Sequence, residues 1–271
     1  MPGTIIHPTA VVSPRAVIGD SVTIGPYSAV DSGAEIGDGT TIEAFVHLTS
    51  FVSVGRNCHI YENTILGQPP QDHDFSGETS YVRIDDDVTL RENVTIHRAT
   101  GEGRETRVGA GTILMEGCHL GHNVRVGKYC TLTNKVGVSG HVQMGDYVVV
   151  GGHVGFHQFV RVGSYAMVGG MSKIAMDVPP YSLVDGNPAS MFGLNAIGLR
   201  RRGFTQEERT RIKRIYKLLF EDADLKDAIS FIKKRFEGDK FAEAIVSFTN
   251  ETKRGIYHWH PGSNEHRGRK K

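Results

Sequence analysis

The fold is decided by residues 117–170, which read GCHLGHNVRVGKYCTLTNKVGVSGHVQMGDYVVVGGHVGFHQFVRVGSYAMVGG. An apolar residue recurs there at every sixth position, and the residue two places before it is small or β-branched, as in Val124 before Val126. The same period extends from Ile6 to Ile174. A six-residue period is typical of a parallel β-helix built from short turn-strand units.

Three such units make a triangular coil of about 18 residues, so residue n lies over residue n − 18 at a strand spacing of about 4.8 Å. The apolar column is broken at three polar positions, Asp72, Glu78 and Glu102. These breaks predict loops near 68–81 and 98–107. If the loops eject about 12 and about 6 residues, the register is restored and both leave at the corner that carries His122.

The period stops at a Pro-Pro pair at 179–180, and a helical pattern follows. Thr205 and Glu208 form a capping box before a run of apolar residues at helical spacing. The expected fold is therefore mainly β, a solenoid with two ejected loops followed by a small α-helical domain. The predicted divisions are a solenoid over 1–190, a helical domain over 191–256 and a disordered basic tail over 257–271.

The composition excludes several classes of protein. A net charge of +1, from 31 basic and 30 acidic residues, provides no global positive field for binding nucleic acid. No leader segment and no run of 18 apolar residues is present, so we expect a cytoplasmic protein without an integral membrane segment. The three cysteines all occupy the small column, which indicates interior fillers and not nucleophiles.

Histidines concentrate in residues 119–158. The 18-residue register predicts a polar ladder at one corner, formed by His122, Gly140, His141, His157 and Gln158. An unprotonated imidazole can remove a proton from a hydroxyl group, and a glycine opposite it leaves room for a backbone N–H to face an oxyanion. The corner therefore predicts a catalytic site, with a structural histidine ladder as the alternative.

Seven motifs occur in one order along the chain: VTIHR, CHLGHN, VSGHV, FHQF, MVGGMSKIAMDVPPYS, GNPA and GLNAIGLRRRGF. Together they resemble the acyl-[acyl-carrier-protein]–UDP-N-acetylglucosamine O-acyltransferases of lipid A biosynthesis. The resemblance implies a left-handed β-helix, a homotrimer with active sites between subunits, and no cofactor or metal. It also implies transfer of a 3-hydroxyacyl chain from acyl carrier protein to the 3-position of the UDP-sugar.

The resemblance also implies roles for individual residues. His122 would be the general base, oriented by Asn123, and Gly140 would supply the oxyanion N–H. The implied substrate-binding residues are Asp72, His119, His141, His157, Gln158, Asn195, Arg201 and Arg202. The implied acyl-chain pocket contains Met115, Met167 and Gly170. A basic surface beginning at Arg200 would meet the acidic carrier protein.

Two positions depart from the family pattern. Asn123 replaces an aspartate and cannot place a full negative charge beside imidazolium. Asp74 stands where the family often has lysine, which raises the alternative of a 3-amino-sugar acceptor and N-acylation.

Two remoter alternatives stay open. His119 and His122 suit a zinc enzyme resembling the γ-type carbonic anhydrases. A non-catalytic assembly solenoid would make the histidine corner purely structural.

Overall fold

A computed structural model describes residues 2–221 and 224–259. Within them, short strands form the three flat faces of a prism, here called faces A, B and C. Face A contains β1 (Ile5–Ile6), β4 (Thr23–Ile24), β7 (Thr41–Ile42), β10 (His59–Ile60), β13 (Thr89–Leu90), β16 (Ile113–Leu114), β19 (Thr131–Leu132), β22 (Val149–Val150), β25 (Met167–Val168), β27 (Ser182–Gly186) and β28 (Ala189–Leu194).

The other two faces are built in the same way. Face B contains β2 (Val11–Val12), β5 (Ala29–Val30), β8 (His47–Leu48), β11 (Ile65–Gln68), β14 (Thr95–His97), β17 (His119–Leu120), β20 (Gly137–Val138), β23 (Gly155–Phe156) and β26 (Lys173–Ile174). Face C contains β3 (Val17–Ile18), β6 (Glu35–Ile36), β9 (Val52–Val54), β12 (Tyr81–Ile84), β15 (Glu105–Val108), β18 (Arg125–Val126), β21 (Gln143–Met144) and β24 (Arg161–Val162).

The register confirms the predicted loop lengths. Leu114 pairs with Leu132, 18 residues further on. Across the first loop Ile60 pairs with Leu90, which adds 12 residues to that spacing, and across the second Leu90 pairs with Leu114, which adds 6. The two insertions together equal one coil, so the upper coils stand in register over the lower ones.

The apolar column fills the prism, because every sixth side chain points inward and most are fully buried. The small column lies beside it, where Cys58, Cys118 and Cys130 are free and buried, as predicted. Many corner turns place a non-glycine residue at positive φ, including Asn123 and His141. Asn tolerates that conformation better than most residues.

The helical domain contains α1 (Ala196–Arg201), α2 (Gln206–Glu221), α3 (Leu225–Arg235) and α4 (Lys240–Asn250). The predicted capping box forms: the Glu208 N–H donates to Thr205 Oγ1 at 3.1 Å, and the Thr205 N–H donates to the Glu208 carboxylate at 2.9 Å. The fully buried Tyr216 hydroxyl donates to the Pro180 carbonyl at 2.5 Å, which ties α2 to the solenoid.

The predicted boundaries shift in three places. The second loop ends at Arg104, because residues 105–108 already pair as β15. The solenoid continues through β28, an antiparallel partner of β27, so helix begins only at Ala196. In the predicted tail, Tyr257 is buried and its hydroxyl accepts from the Ala175 N–H, so ordered packing extends past 257. Residues 260–271 lie outside the described residues.

None of the helices within 2–221 and 224–259 combines the length and apolar character needed to cross a membrane.

Candidate active site

His122 lies at the corner between faces B and C, in the turn from β17 to β18. The first loop leaves β11 and enters β12, and the second leaves β14 and enters β15, so both loops also cross from face B to face C. The prediction that both loops flank His122 is confirmed. It follows from the register alone, because each ejected segment contains a whole number of six-residue units.

The His122 ring is held in one orientation. Its Nδ1 lies 2.9 Å from Asn123 Oδ1, and only 8% of the residue is exposed. The opposite nitrogen, Nε2, faces Gly140, where an added Cβ would lie 2.3 Å from it. When Nδ1 donates to Asn123, Nε2 carries the lone pair. The ring therefore presents a proton acceptor toward the backbone of the next coil.

The first loop brings a carboxylate to the other side of the ring. Asp72 Oδ2 lies 3.6 Å from His122 Nδ1 and accepts a hydrogen bond from Thr100 Oγ1 at 2.8 Å. The pKa of Asp72 is lowered by that bond, by the Asp74 N–H and then by the neighbouring His122 and His141. Asp72 is thus ionised at neutral pH beside the imidazole.

The two loops are fastened to each other by the residues that break the apolar column. Glu78 accepts from the Gly101 N–H at 2.7 Å, and Glu102 accepts from the Thr79 N–H at 3.0 Å. Backbone hydrogen bonds, led by the one from Gly101, lower the pKa of Glu78 to about 2. The polar breaks are therefore structural clamps between the loops.

A cleft of about 360 Å³ opens beside His122. Its lining residues are Gln71, His97, His119, Gly121, His122, Gly137, Val138, Ser139, Gly140, Gly155, Phe156 and Gln158. Gly137 and Gly155 expose bare backbone on the outer side of face B, since an added Cβ at either would meet no atom within 4 Å. The floor of the cleft is consequently flat and open.

His119 lies on face B at the base of this cleft. Its Nδ1 contacts Thr95 Oγ1 at 2.8 Å, and its ring packs edge-on against His97 at 5.2 Å. Burial, and then the neighbouring His97, lower the pKa of His119, so it is neutral at pH 7. The sequence reasoning missed His97 as a cleft residue, although it belongs to β14, the strand that pairs with β17 directly below His119.

The upper part of the predicted ladder divides between two surfaces. His141 packs edge-on against His122 at 5.0 Å and stacks on Phe159 at 4.6 Å. The pKa of His141 is lowered, mainly by burial and then by the neighbouring His122. His141 lines a neighbouring groove and not the cleft itself. Gln158 lines the cleft, and His157 is exposed beside it, with Nδ1 3.2 Å from the Gln158 carbonyl.

The predicted nucleotide-binding residues lie at a different corner. Asn195 caps α1 and donates through Nδ2 to the Tyr165 carbonyl at 2.9 Å. Arg201 is exposed at the end of α1, and the Arg202 guanidinium lies 4.8 Å from the centre of the Tyr147 ring. Tyr147 lies in the turn between faces C and A. One chain therefore does not bring these residues to His122.

The predicted acyl-pocket residues lie on or beside face A. Met167 belongs to β25 and is half-buried, while Met115 directly follows β16. Gly170 is exposed at the corner between faces A and B. None of the three lines the cleft beside His122.

Within residues 2–221 and 224–259, the cysteines and acidic residues do not assemble a second centre. Burial raises the pKa of Cys58 and Cys118 to about 11 and that of Cys130 to about 12, so all three are unreactive thiols at neutral pH. Across the described residues, no three His, Cys, Asp or Glu side chains gather in an arrangement that could hold a metal ion.

Two family models match the chain. Residues 177–257 match the second domain of UDP-N-acetylglucosamine O-acyltransferase, and residues 33–68 match the bacterial transferase hexapeptide model.

Whole-chain comparisons agree with these models. The acyl-[acyl-carrier-protein]–UDP-N-acetylglucosamine O-acyltransferase of Thermodesulfovibrio yellowstonii is 40% identical over 93% of this chain and 98% of that protein. Its counterpart from a Sulfurihydrogenibium species is 46% identical over 93% of each. The solved UDP-N-acetylglucosamine acyltransferase of Francisella novicida superposes with a TM-score of 0.90 at 37% identity, over 96% of this chain and 95% of that one.

Proposed function

We infer, from the premise that this chain belongs to the family of acyl-[acyl-carrier-protein]–UDP-N-acetylglucosamine O-acyltransferases, that His122 is its general base. The reaction is the transfer of a 3-hydroxyacyl chain from acyl carrier protein to the 3-hydroxyl of UDP-N-acetylglucosamine, the first step of lipid A biosynthesis. The observation that carries the assignment is the ring geometry: Nδ1 is tied to Asn123 while Nε2 faces Gly140 across an open cleft.

The chemistry is a direct attack on the thioester. His122 Nε2 removes the proton of the sugar 3-hydroxyl as its oxygen attacks the thioester carbonyl carbon. The Gly140 N–H donates to the developing oxyanion. The tetrahedral intermediate then expels the thiolate of the carrier protein, which takes the proton back from His122. An ester bond forms, a carbon–sulfur bond breaks, and no oxidant or cofactor is consumed.

The cleft and the groove beside it offer separate places for the two substrates. His119, neutral at the base of the cleft, suits contact with the thioester, and the bare backbone at Gly137 and Gly155 leaves room for an acyl chain along face B. Gly170 would extend that path, with Met115 and Met167 limiting it. His141, His157 and Gln158 would bind the sugar and diphosphate, together with Asp72.

A complete site needs a second chain. Asn195, Arg201 and Arg202 are proposed to bind the nucleotide, and they stand at a corner away from His122. A homotrimer that sets the corner of one chain against the loops of the next would unite them. The proposal includes a cytoplasmic location, which suits three free cysteines.

Product analysis tests this function. The full chain is incubated with a 3-hydroxyacyl carrier protein and either UDP-N-acetylglucosamine or its 3-amino analogue, and the products are identified by mass spectrometry and hydroxylamine sensitivity. An ester at the 3-position of the first acceptor is expected. Exclusive formation of the amide would favour the alternative raised by Asp74, and no acylation of either acceptor would reject the proposed function.

A further inference from the structure

Asn123 makes two contacts with Thr100, and an aspartate could make only the first of them. Its Oδ1 accepts from the Thr100 N–H at 3.0 Å, and its Nδ2 donates to the Thr100 carbonyl at 3.0 Å. A carboxylate has no N–H and would face that carbonyl with a negative charge. The pair of bonds also fixes the orientation of the amide, because the carbonyl of Thr100 requires a donor. The oxygen that meets His122 Nδ1 is therefore identified.

Asn123 is thus a clamp on the second loop as well as a partner of the imidazole. The clamp extends to the first loop, because the Thr100 hydroxyl donates to Asp72 Oδ2 at 2.8 Å. Both backbone groups and the side chain of Thr100 are engaged. The chain of contacts runs from residue 123 through the second loop to the carboxylate of the first.

The end of that chain is a negative charge beside the base. Asp72 Oδ2 lies 3.6 Å from His122 Nδ1, with side-chain exposures of 21% for Asp72 and 10% for His122. Such shielding from water strengthens the attraction between a carboxylate and imidazolium.

Other groups around the imidazole carry little compensating charge. His141 faces it from the next coil, and its pKa is lowered by burial and by His122 itself, so it is neutral at pH 7. The positive charge of Arg104, at the end of the second loop, lowers the pKa of His141 further. His119 faces the cleft from the face B side and is neutral for the same reason, burial. Asp72 therefore dominates the charge that the imidazole meets.

We propose that Asp72 supplies His122 with the negative charge that residue 123 lacks, and that Asn123 and Thr100 hold this carboxylate in place. The inference rests on the proposed function, since it concerns the base of that reaction. Asp72 acts here as a positioning and electrostatic residue, in addition to any contact with the sugar. When the proton moves from the sugar hydroxyl to Nε2, the Nδ1–H side of the imidazolium is stabilised by Asp72.

The test is a pH–rate study of Asp72→Asn, Asn123→Asp and the double variant. Removal of the charge in Asp72→Asn is expected to lower kcat by about 10- to 100-fold and to move the acid limb of the kcat/KM profile down by about one pH unit. The double variant returns the charge to residue 123, and its acid limb is expected to move back toward that of the parent. A simple loss of sugar contact would instead raise KM with the limb unmoved and unrescued, which would overturn the inference.

Variants of Thr100 and a control at Asp31 test whether the position of the Asp72 carboxylate matters. Thr100→Val releases the carboxylate without removing it, and is expected to move the limb in the same direction, whereas Thr100→Ser retains the hydroxyl and the parent profile. Asp31→Asn is the matched control, because Asp31 contacts His47 at 3.3 Å elsewhere on the solenoid, and it is expected to leave the profile unchanged. If Thr100→Val and Thr100→Ser behave alike, the inference is wrong.

The His122→Ala variant distinguishes failure of the role proposed for Asp72 from failure of the proposed function. An active His122→Ala protein would reject His122 as the general base of the proposed function. An inactive one, combined with an unmoved profile in Asp72→Asn, would reject only the role of Asp72.

Discussion

At the residue scale, the site depends on the absence of a side chain at Gly140. A side chain at position 140 would begin 2.3 Å from His122 Nε2, inside the contact distance of any two heavy atoms. The imidazole would have to rotate away, and its bond to Asn123 would lengthen. Gly140 therefore has a steric role in addition to the N–H that it is proposed to donate.

Gly140→Ala is expected to lower kcat/KM by about 100-fold, because a displacement of about 1 Å at a reacting group is enough for a loss of that size. Steady-state kinetics measures the loss, and thermal unfolding checks that the fold is intact. Gly137→Ala is the comparator for kcat, since its new Cβ would meet no protein atom within 4 Å and would leave His122 in place, while any crowding of the proposed acyl-chain path would raise KM for the acyl carrier protein. Equal losses of kcat in the two variants would argue against displacement of His122.

At the element scale, the two loops act as one unit because an acidic side chain of each loop accepts a hydrogen bond from a backbone N–H of the other. A further bond of this kind lies within the first loop. Glu78 accepts from Gly101 and from the Ser76 N–H, and Glu102 accepts from Thr79. These side chains occupy positions where the repeat would otherwise place an apolar residue. The acidic residues that interrupt the apolar column thus hold the two ejected loops together.

The clamp at Glu78 has a defined pH dependence. Its pKa is lowered from 4.5 to about 2, so its contribution to stability is complete above pH 4.5 and declines as the pH falls toward 2. The difference in unfolding temperature between the parent protein and Glu78→Ala is therefore expected to be constant above pH 5 and to shrink below pH 4.5. A difference that stayed the same down to pH 2 would contradict the clamp.

The sequence predicts where the loops leave, but not what they do. The six-residue period predicts that both loops leave at the corner of His122, since inward-facing side chains fix the register. The bonds among Asp72, Thr100 and Asn123 depend on loop conformations that have no period. His97 was overlooked for a different reason: its outward position on β14 becomes significant only when the cleft above it is seen.

At the scale of the whole molecule, different corners carry different parts of the proposed site. His122 lies between faces B and C, whereas Arg202 packs on Tyr147 between faces C and A. The sequence order of the motifs could not show this, because it contains no information about which corners of separate chains meet. The boundary of the basic tail was misplaced for a related reason: Tyr257 packs against the solenoid segment at Ala175, which is distant in sequence.

Mixing of two defective chains tests the shared site. His122→Ala and Arg202→Ala proteins are each expected to have low activity, the second through a raised KM for the nucleotide sugar. When the two are unfolded together and refolded as mixed oligomers, some sites receive an intact His122 and an intact Arg202 from different chains, so activity should exceed that of either parent. Activity equal to the average of the separate proteins would contradict a site built between subunits.

The most direct measurement is the rate of acyl transfer by His122→Ala, with the 3-hydroxyacyl carrier protein and UDP-N-acetylglucosamine at saturating concentrations. The expected loss in kcat is about 10²- to 10⁴-fold, the usual contribution of a general base. His47→Ala is the control, because His47 pairs with a carboxylate three strands below His119 on face B and does not line the cleft, and it should keep the parent rate. A His122→Ala protein with the parent kcat would contradict the account.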